Sequence, residues 1–419
     1  MKATLNVKES FNAYVTVIGG GTAGVFAAIS AAKTGAKTIL IEKNSRLGGT
    51  IINAGVNYPG LFYAWGKQII DGPCFDAIKR TVALDGAKLP EISFKPKHHW
   101  HEQIRLNCFV YLNVLFDMLK ESGVKVILNA MVSDAIENDD GVNVYVTGKT
   151  GLFLINSKTV IDATGDANLT EILGYKTEKS EICQPATLIN RLSGYEEGDY
   201  SENEIKEKML NADLPSHVEF YNLTHYLSTH NISLHVPFND ADTSEGKTAL
   251  EEKALNDILK IYKFYKSIRG LENLKIDYVA NETGVRETNR IVGENVITAD
   301  DYINGKFYDD SVCYAFYPID LHVLKGIKQR FHEENIVSKI PYSALVPKDS
   351  KRLLVAGRCI SSDALANSAI RVEAVCMATG QAVGCAAAIC AKENLKVKDV
   401  SFEKLTKALE NIGAIVPKE

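Results

Sequence analysis

The chain is short of the features that mark several classes of protein. Its eight cysteines are spread over 419 residues and include no CxxC pair. Neither a disulfide framework nor a dithiol redox centre is therefore expected, and the thiols read as those of a reduced, cytoplasmic protein. Long runs of like charge are missing, and the net charge is −5. That leaves no electrostatic footprint for a nucleic acid or an anionic membrane. The first residues are polar and charged, without the apolar stretch of a secretory signal. The longest weakly polar run, residues 374–391, is rich in Ala, Gly and Cys and carries Thr379 and Gln381. It reads as a helix packed inside the protein rather than a membrane span. The cluster His98-His99-Trp100-His101 has no Cys or acid at zinc spacing, so no metal is expected. Internal repeats and low-complexity tracts are absent.

What is present is length and an ordered alternation of patterns. A single core stops growing at roughly 250–300 residues, so a chain of this size implies two or three domains. Residues 14–18 are an apolar strand. A glycine-rich turn follows, then an Ala-rich helix over 25–33, then a second buried strand over 37–42. This order opens a doubly wound parallel sheet, and the fold class is α/β. Residues 57–104 read as inserted loops and short elements. The periodicity predicts a helix over 102–121, strands over 124–128, 142–147, 152–155 and 159–163, and a buried strand over 352–356 followed by a helix over 370–392. Between 176 and 345 charged helices and polar loops dominate. The expected organisation is a discontinuous first domain, 1–175 and 346–419, with a second α+β substrate-covering domain at 176–345.

Gly19, Gly20, Gly21, Thr22, Ala23 and Gly24 match G-x-G-x-x-G. The first Gly makes the strand-to-helix turn, the second lets a pyrophosphate approach the backbone, and the third lets helix pack on strand. The N–H groups at the helix start then hold the phosphate charge. Glu42 ends the second strand at about the twenty-residue spacing that suits a ribose-binding acid. In its strand–turn–helix–strand setting this is a dinucleotide fingerprint, but it does not by itself separate NAD from FAD.

Three later segments bear on that choice: Arg46-Leu47-Gly48-Gly49-Thr50, Asp162-Ala163-Thr164-Gly165-Asp166, and Ala356-Gly357-Arg358-Cys359-Ile360-Ser361. The last continues into Arg371-Val372 and Cys376-Met377-Ala378-Thr379-Gly380-Gln381-Ala382. With these the chain resembles, over nearly its whole length, FAD-dependent oxidoreductases of the glutathione-reductase-like FAD fold, in the branch near fumarate reductase and succinate dehydrogenase flavoproteins. The resemblance implies a Rossmann domain with a parallel sheet and a β-meander. It implies Glu42 and Lys43 at the adenosine ribose, and Met131 or Val132 at adenine. Arg46, Gly48, Gly49 and Thr50 would line the pyrophosphate and flavin edge. Ala163, Thr164, Gly165 and Asp166 would lie near pyrophosphate and ribitol, Gly357 and Arg358 at the ribitol. Arg371, Thr379, Gly380, Gln381 and Ala382 would face the isoalloxazine. Succinate dehydrogenase tethers its flavin through a His in the loop after the pyrophosphate region. Residues 44–60 hold no His, so non-covalent FAD is expected.

Two segments carry candidate chemistry. In residues 284–290, Arg286 and Arg290 stand at i and i+4. On a helix both would share one face and could clamp a carboxylate or phosphate. The competing reading is a salt-bridge cluster with Glu287, Glu294 or Asp300. Asp320 and His322 alternate on an expected strand and so point to one face. A His steered by a carboxylate can move protons near neutral pH; the competing reading is a structural pair at a domain seam. The resemblance favours the functional reading of both segments. No second G-x-G-x-x-G appears, so electrons would come from substrate or from a separate carrier. The expected reaction is hydride transfer between flavin N5 and a small organic substrate, anionic or polyhydroxylated. The alternatives are a non-redox dinucleotide-binding synthase of similar fold, a flavoprotein subunit that passes electrons to a partner, and a binding module without catalysis.

Overall fold

The apolar runs on either side of the glycine turn form the first unit of the sheet. In the computed structural model, which describes residues 6–94, 99–324 and 326–418, strand β1 (Glu9–Ile18) leads into helix α1 (Thr22–Lys33) and strand β2 (Thr38–Glu42). All of β2 and the last four residues of β1 are buried, as parallel strands covered on both faces must be. The chain then adds β3 (Lys125–Leu128), β4 (Met131–Asn138), β5 (Gly141–Gly148) and β6 (Gly151–Asp162). Their order is β3-β2-β1-β6-β5-β4. The first four pair in parallel, and β6, β5 and β4 form an antiparallel meander. A returning strand, Leu353–Val355, pairs in parallel with the end of β6. This is the parallel sheet with β-meander that the resemblance implied.

Several boundaries differ from the sequence expectation, each for a local reason. The strands expected at 152–155 and 159–163 are one continuous strand, β6. The polar Asn156-Ser157-Lys158 does not break it, because Ser157 is buried between Ala13 and Val142 on the flanking strands. The helix expected from 102 starts at Cys108, where the Asn107 side chain accepts from the N–H groups of Phe109 and Val110, a cap that fixes the start. Residues 57–104 contain a twelve-residue helix, Pro73–Leu84, whose Phe75 and Ile78 enter the main core. The helix expected over 370–392 is two helices, Ala364–Ile370 and α3 (Glu373–Glu393), broken at Arg371-Val372. Of the histidine cluster, His98 lies outside the described residues, and His99–Glu102 is a short 3-10 turn.

By length and hydropathy α3 could span a membrane, yet residues 373–391 are all buried inside the protein. Small residues let it lie against α1 at backbone contact. A Cβ on Gly380 would fall 2.2 Å from the Ala23 carbonyl oxygen, and one on Gly384 2.3 Å from that of Ala27.

A second hydrophobic core lies around a three-stranded antiparallel sheet. Its strands are β7 (Ala186–Ser193), β8 (Asn231–Val236) and β9 (Lys275–Val279), in the order β8-β7-β9. Helix α2 (Ser244–Lys266) covers it with Leu250, Ile258 and Tyr265. Within the 176–345 segment, then, residues near 186–285 have their own core. Ile291, Tyr302, Ala315 and Ile340 pack instead into the first core. From that stretch a hairpin, β10 (Ile319–His322) and β11 (Ile327–Arg330), reaches back toward the second sheet.

Candidate functional site

The strand-to-helix turn is built from bare backbone. Gly19 has φ +102°, and a Cβ on Gly24 would fall 1.7 Å from the Gly19 carbonyl oxygen. Any side chain at Gly24 would push α1 off the turn. The start of α1 has no side-chain cap, so its first N–H groups remain available to an anion. Glu42 is 6% exposed and accepts from the Gly20 N–H at 2.5 Å and the Asn44 N–H at 2.8 Å. Burial, more than these bonds oppose it, raises its carboxyl above the usual range. Asp162, at the end of β6, accepts from the N–H and hydroxyl groups of both Thr164 and Thr170. It thereby fixes the loop carrying Gly165 and Asp166.

One elongated cavity of about 760 Å³ connects these parts. At the fingerprint end it is lined by Gly19, Gly21, Thr22, Ala23, Glu42, Lys43, Gly49, Thr50, Met131 and Val132. Ala163, Thr164, Gly165, Asp166, Gly357 and Arg358 line its middle, and Arg286, Tyr317, Asp320, His322, Arg371 and Glu373 its far end. Gly21 and Gly49 face each other across the turn, their backbones close enough that a Cβ on Gly49 would fall 2.9 Å from the Gly21 Cα. A glycine-walled space with open helix N–H groups, a buried acid at one end and half-buried cations at the other fits a dinucleotide whose second half carries negative charge.

Other expected positions lie outside the cavity wall. Gly20 holds Glu42 and Gly24 packs against Gly19, both serving the turn. Gly48 caps a short helix in a left-handed conformation, and the Arg46 carbonyl accepts a long hydrogen bond from Asn53. Of the residues expected at the isoalloxazine, Thr379, Gly380, Gln381 and Ala382 are structural. Thr379 accepts from the Gly357 N–H, Gly380 meets α1, Gln381 holds Cys74 and Asp71, and Ala382 is wholly buried. Arg371 faces the cavity in their place.

Residues 284–289 are not helical, so the shared helical face for Arg286 and Arg290 does not form. Arg290 is buried and pairs with Glu287 at 2.7 Å, the salt-bridge reading of this segment. Arg286 points the other way. It donates to the Pro185 carbonyl at 2.5 Å and the Thr187 hydroxyl at 2.8 Å. Arg371 makes only long contacts, 3.4 Å to Gln184 Oε1 and 3.5 Å to the Asp320 carbonyl, and its Nε has no partner among the described residues. Neither Arg286 nor Arg371 has a carboxylate at ion-pair distance among the described residues. Burial, then the nearby Arg371 charge, pushes the Arg286 guanidinium down to about 9. It is still a cation near neutral pH, held without an anion.

Asp320 and His322 share one face of β10, as their alternation implied. His322 Nε2 lies 3.0 Å from Asp320 Oδ2, and its Nδ1 lies 3.2 Å from His235 Nε2 on β8. Gln329 donates to the other Asp320 oxygen at 2.8 Å. Burial pushes His322 down to about 4 against the pull of Asp320, and His235 down to about 3. Both imidazoles are therefore neutral near pH 7. With Nε2–H donating to the carboxylate, Nδ1 of His322 accepts from His235. His235, Tyr317 and Glu373 were missed in the sequence. Only Glu373 left a signal there, as an acid set just ahead of a long apolar run.

Arg358 ties the cavity wall to the second module. It donates to the Gly165 carbonyl at 2.8 Å, pairs with Asp166 and donates to the Val285 carbonyl.

The fold and cavity define a Rossmann-type dinucleotide-binding protein with a redox-suited second end. The chain belongs to the FAD-dependent oxidoreductase family, whose model matches residues 15–409. It is an enzyme of that class and its cofactor is FAD. It is similar to the thiamine thiazole synthase of Methanococcus vannielii, 26% identical over 196 residues, or 43% of this chain and 69% of that one. It is also similar to the digeranylgeranylglycerophospholipid reductase of the same organism, 27% identical over 192 residues, or 43% of this chain and 45% of that one. Among solved structures, a geranylgeranyl bacteriochlorophyll reductase-like protein of Thermoplasma acidophilum aligns over 96% of this chain and 83% of its own, with a TM-score of 0.46 and 15% identity.

Proposed function

We propose that this enzyme oxidises or reduces a small anionic organic molecule held at the arginine end of the cavity. The observation that carries this is the pair of half-buried guanidiniums, Arg286 and Arg371, which line one cavity without a carboxylate partner among the described residues. A desolvated cation without an anion is costly, and a carboxylate or phosphate on the substrate would supply the missing charge with bidentate geometry. In this reading the Gly19–Thr22 turn with Gly49 and Thr50 holds the pyrophosphate, and Glu42, Lys43, Met131 and Val132 surround the adenosine. Ala163 to Asp166, Gly357 and Arg358 lie along the ribitol, and the Arg371 segment meets the isoalloxazine. The bound flavin supplies a two-electron acceptor or donor.

His322 moves the substrate proton. Asp320 fixes its tautomer through Nε2, which leaves Nδ1 as the exchanging atom, and His235 is the group that yields that position. Arg286 reaches the cavity from the second module and Arg371 from the first, so the substrate anion bridges the two.

The test is anaerobic bleaching of the holoenzyme against a panel of small carboxylates and phosphates, followed by substitution. Arg286→Ala should retain bound flavin and lose about 10- to 100-fold in reduction rate, the range for one charged hydrogen-bonding group. His322→Ala should lose about 100-fold or more. Full rates in both variants would remove the assignment. The thiazole synthase likeness supports a second reading, in which the dinucleotide is held without net redox. Flavin that no substrate can bleach would favour it.

A further inference from the structure

Glu373 is the first residue of α3 and stands two residues from Arg371. The break at Val372 turns it into the cavity wall instead of continuing the preceding helix. The residue is 7% exposed. No side chain among the described residues donates a hydrogen bond to its carboxyl. The charged and titratable groups around it are Arg371 and Cys376 on its own segment, Tyr111 from the helix Cys108–Glu121, and Tyr317 from the loop before β10. Burial pushes Tyr317 and Cys376 each up to about 12, so both stay neutral near pH 7. Among the described residues Arg371 is the one cation acting on it, and it lies beyond ion-pair distance. Burial outweighs this cation and the helix start and raises the Glu373 carboxyl to about 7. The carboxyl is thus poised between its two protonation states, in a low-dielectric wall of the redox cavity.

We propose that Glu373 stores a proton for the flavin, binding one when the flavin gains two electrons and releasing it on reoxidation. This rests on the reading that the isoalloxazine lies at the Arg371 end. The balance is simple. Oxidised flavin takes two electrons and one proton and becomes an anion, while the Glu373 carboxylate takes a second proton and becomes neutral. A substrate that gives up two electrons and two protons supplies both, and the net charge of the site is unchanged. The driving force is Coulombic: a new negative charge close by in a dry site raises the proton affinity of a carboxylate. The two groups then titrate as a coupled pair.

The experiment is the pH dependence of the flavin midpoint potential, measured anaerobically on the holoenzyme and on Glu373→Gln. Above about pH 7, the reduction equilibrium of the native enzyme should change about a hundredfold per pH unit, for two protons per two electrons. The variant should change about tenfold, for one. Equal slopes in flavin-loaded protein overturn the proposal. If Glu373→Gln does not fold, an indicator dye in unbuffered native holoenzyme at pH 8 counts protons taken up on chemical reduction. Two protons support the proposal and one overturns it. Arg371→Ala serves as the control for placement. A flavin spectrum and potential unmoved by it overturn the reading of the Arg371 end, separately from the role of Glu373.

Discussion

At the fingerprint end the cavity is walled mostly by glycine backbone; at the arginine end it is walled by charged and polar side chains. The first end is assembled mainly from two segments, the Gly19–Thr22 turn and the stretch from Glu42 to Thr50, held together by the hydrogen bonds that Glu42 accepts from the Gly20 and Asn44 N–H groups. The second end gathers Arg286 from a loop, His322 from a hairpin, with His235 of the second sheet against it, and Arg371 and Glu373 from a helix break. Backbone sites tolerate no added atoms but need few particular side chains. Convergent sites need particular side chains and depend on the whole topology to bring them together. The two ends should therefore fail differently when altered.

The largest effect belongs to the backbone end. Gly24→Ala places a methyl group where the Gly19 carbonyl oxygen already stands. The purified protein should lose essentially all bound flavin, measured by absorbance per chain. A flavin content near that of the native enzyme would break the comparison. Next comes the misread arginine. Arg290→Ala leaves Glu287, with a side chain 1% exposed, without its cation. The variant should lose about 3–5 kcal/mol of stability in denaturant unfolding, while protein that remains folded keeps its flavin. A small stability change with a large loss of turnover would instead return Arg290 to the reaction.

A third test is the pH response of the convergent end. His235 and His322 are pushed by burial to about 3 and about 4 from an ordinary value near 6.5. Above pH 6.5 these groups are neutral in both folded and unfolded chains and add no pH dependence. As pH falls from 6.5 toward 4 the unfolded chain binds protons that the folded one refuses, so stability drops by at most about 1.4 kcal/mol per unit for each group. Thermal melts across this window should show the drop, and a His235→Gln, His322→Gln double variant should flatten part of it. An equal slope in native and double-variant protein would contradict the contribution of this pair.

The same contrast explains what could be read from the sequence. The fingerprint, its acid and the opening strand–turn–helix–strand unit are legible because each is a local pattern with a fixed spacing. The strand break expected near Ser157 was misread because polarity in the sequence does not show that two neighbours will bury a hydroxyl. Arg286 and Arg290 match a helical clamp by spacing, but the bridge between Gly284 and Thr187 and the hydrogen bond from Arg286 to Thr187 tie the segment to the second sheet, and it forms no helix. Arg371 belonged to a recognised motif, yet its pairing with Arg286 across the cavity is a product of topology alone. Thr379 to Ala382 shared that motif for a different reason: their small or buried side chains serve the contact between helices and the anchoring of Cys74.

That contact between α1 and α3 has a mechanical consequence. One helix begins at the glycine turn of the fingerprint, the other where Glu373 and Arg371 line the cavity, and two glycines on α3 bring the backbones into touch. The length of the cavity wall is thus gauged by Gly380 and Gly384, which need never meet a ligand. A single methyl at either would act as a shim, moving one anchor point against the other and detuning both ends together.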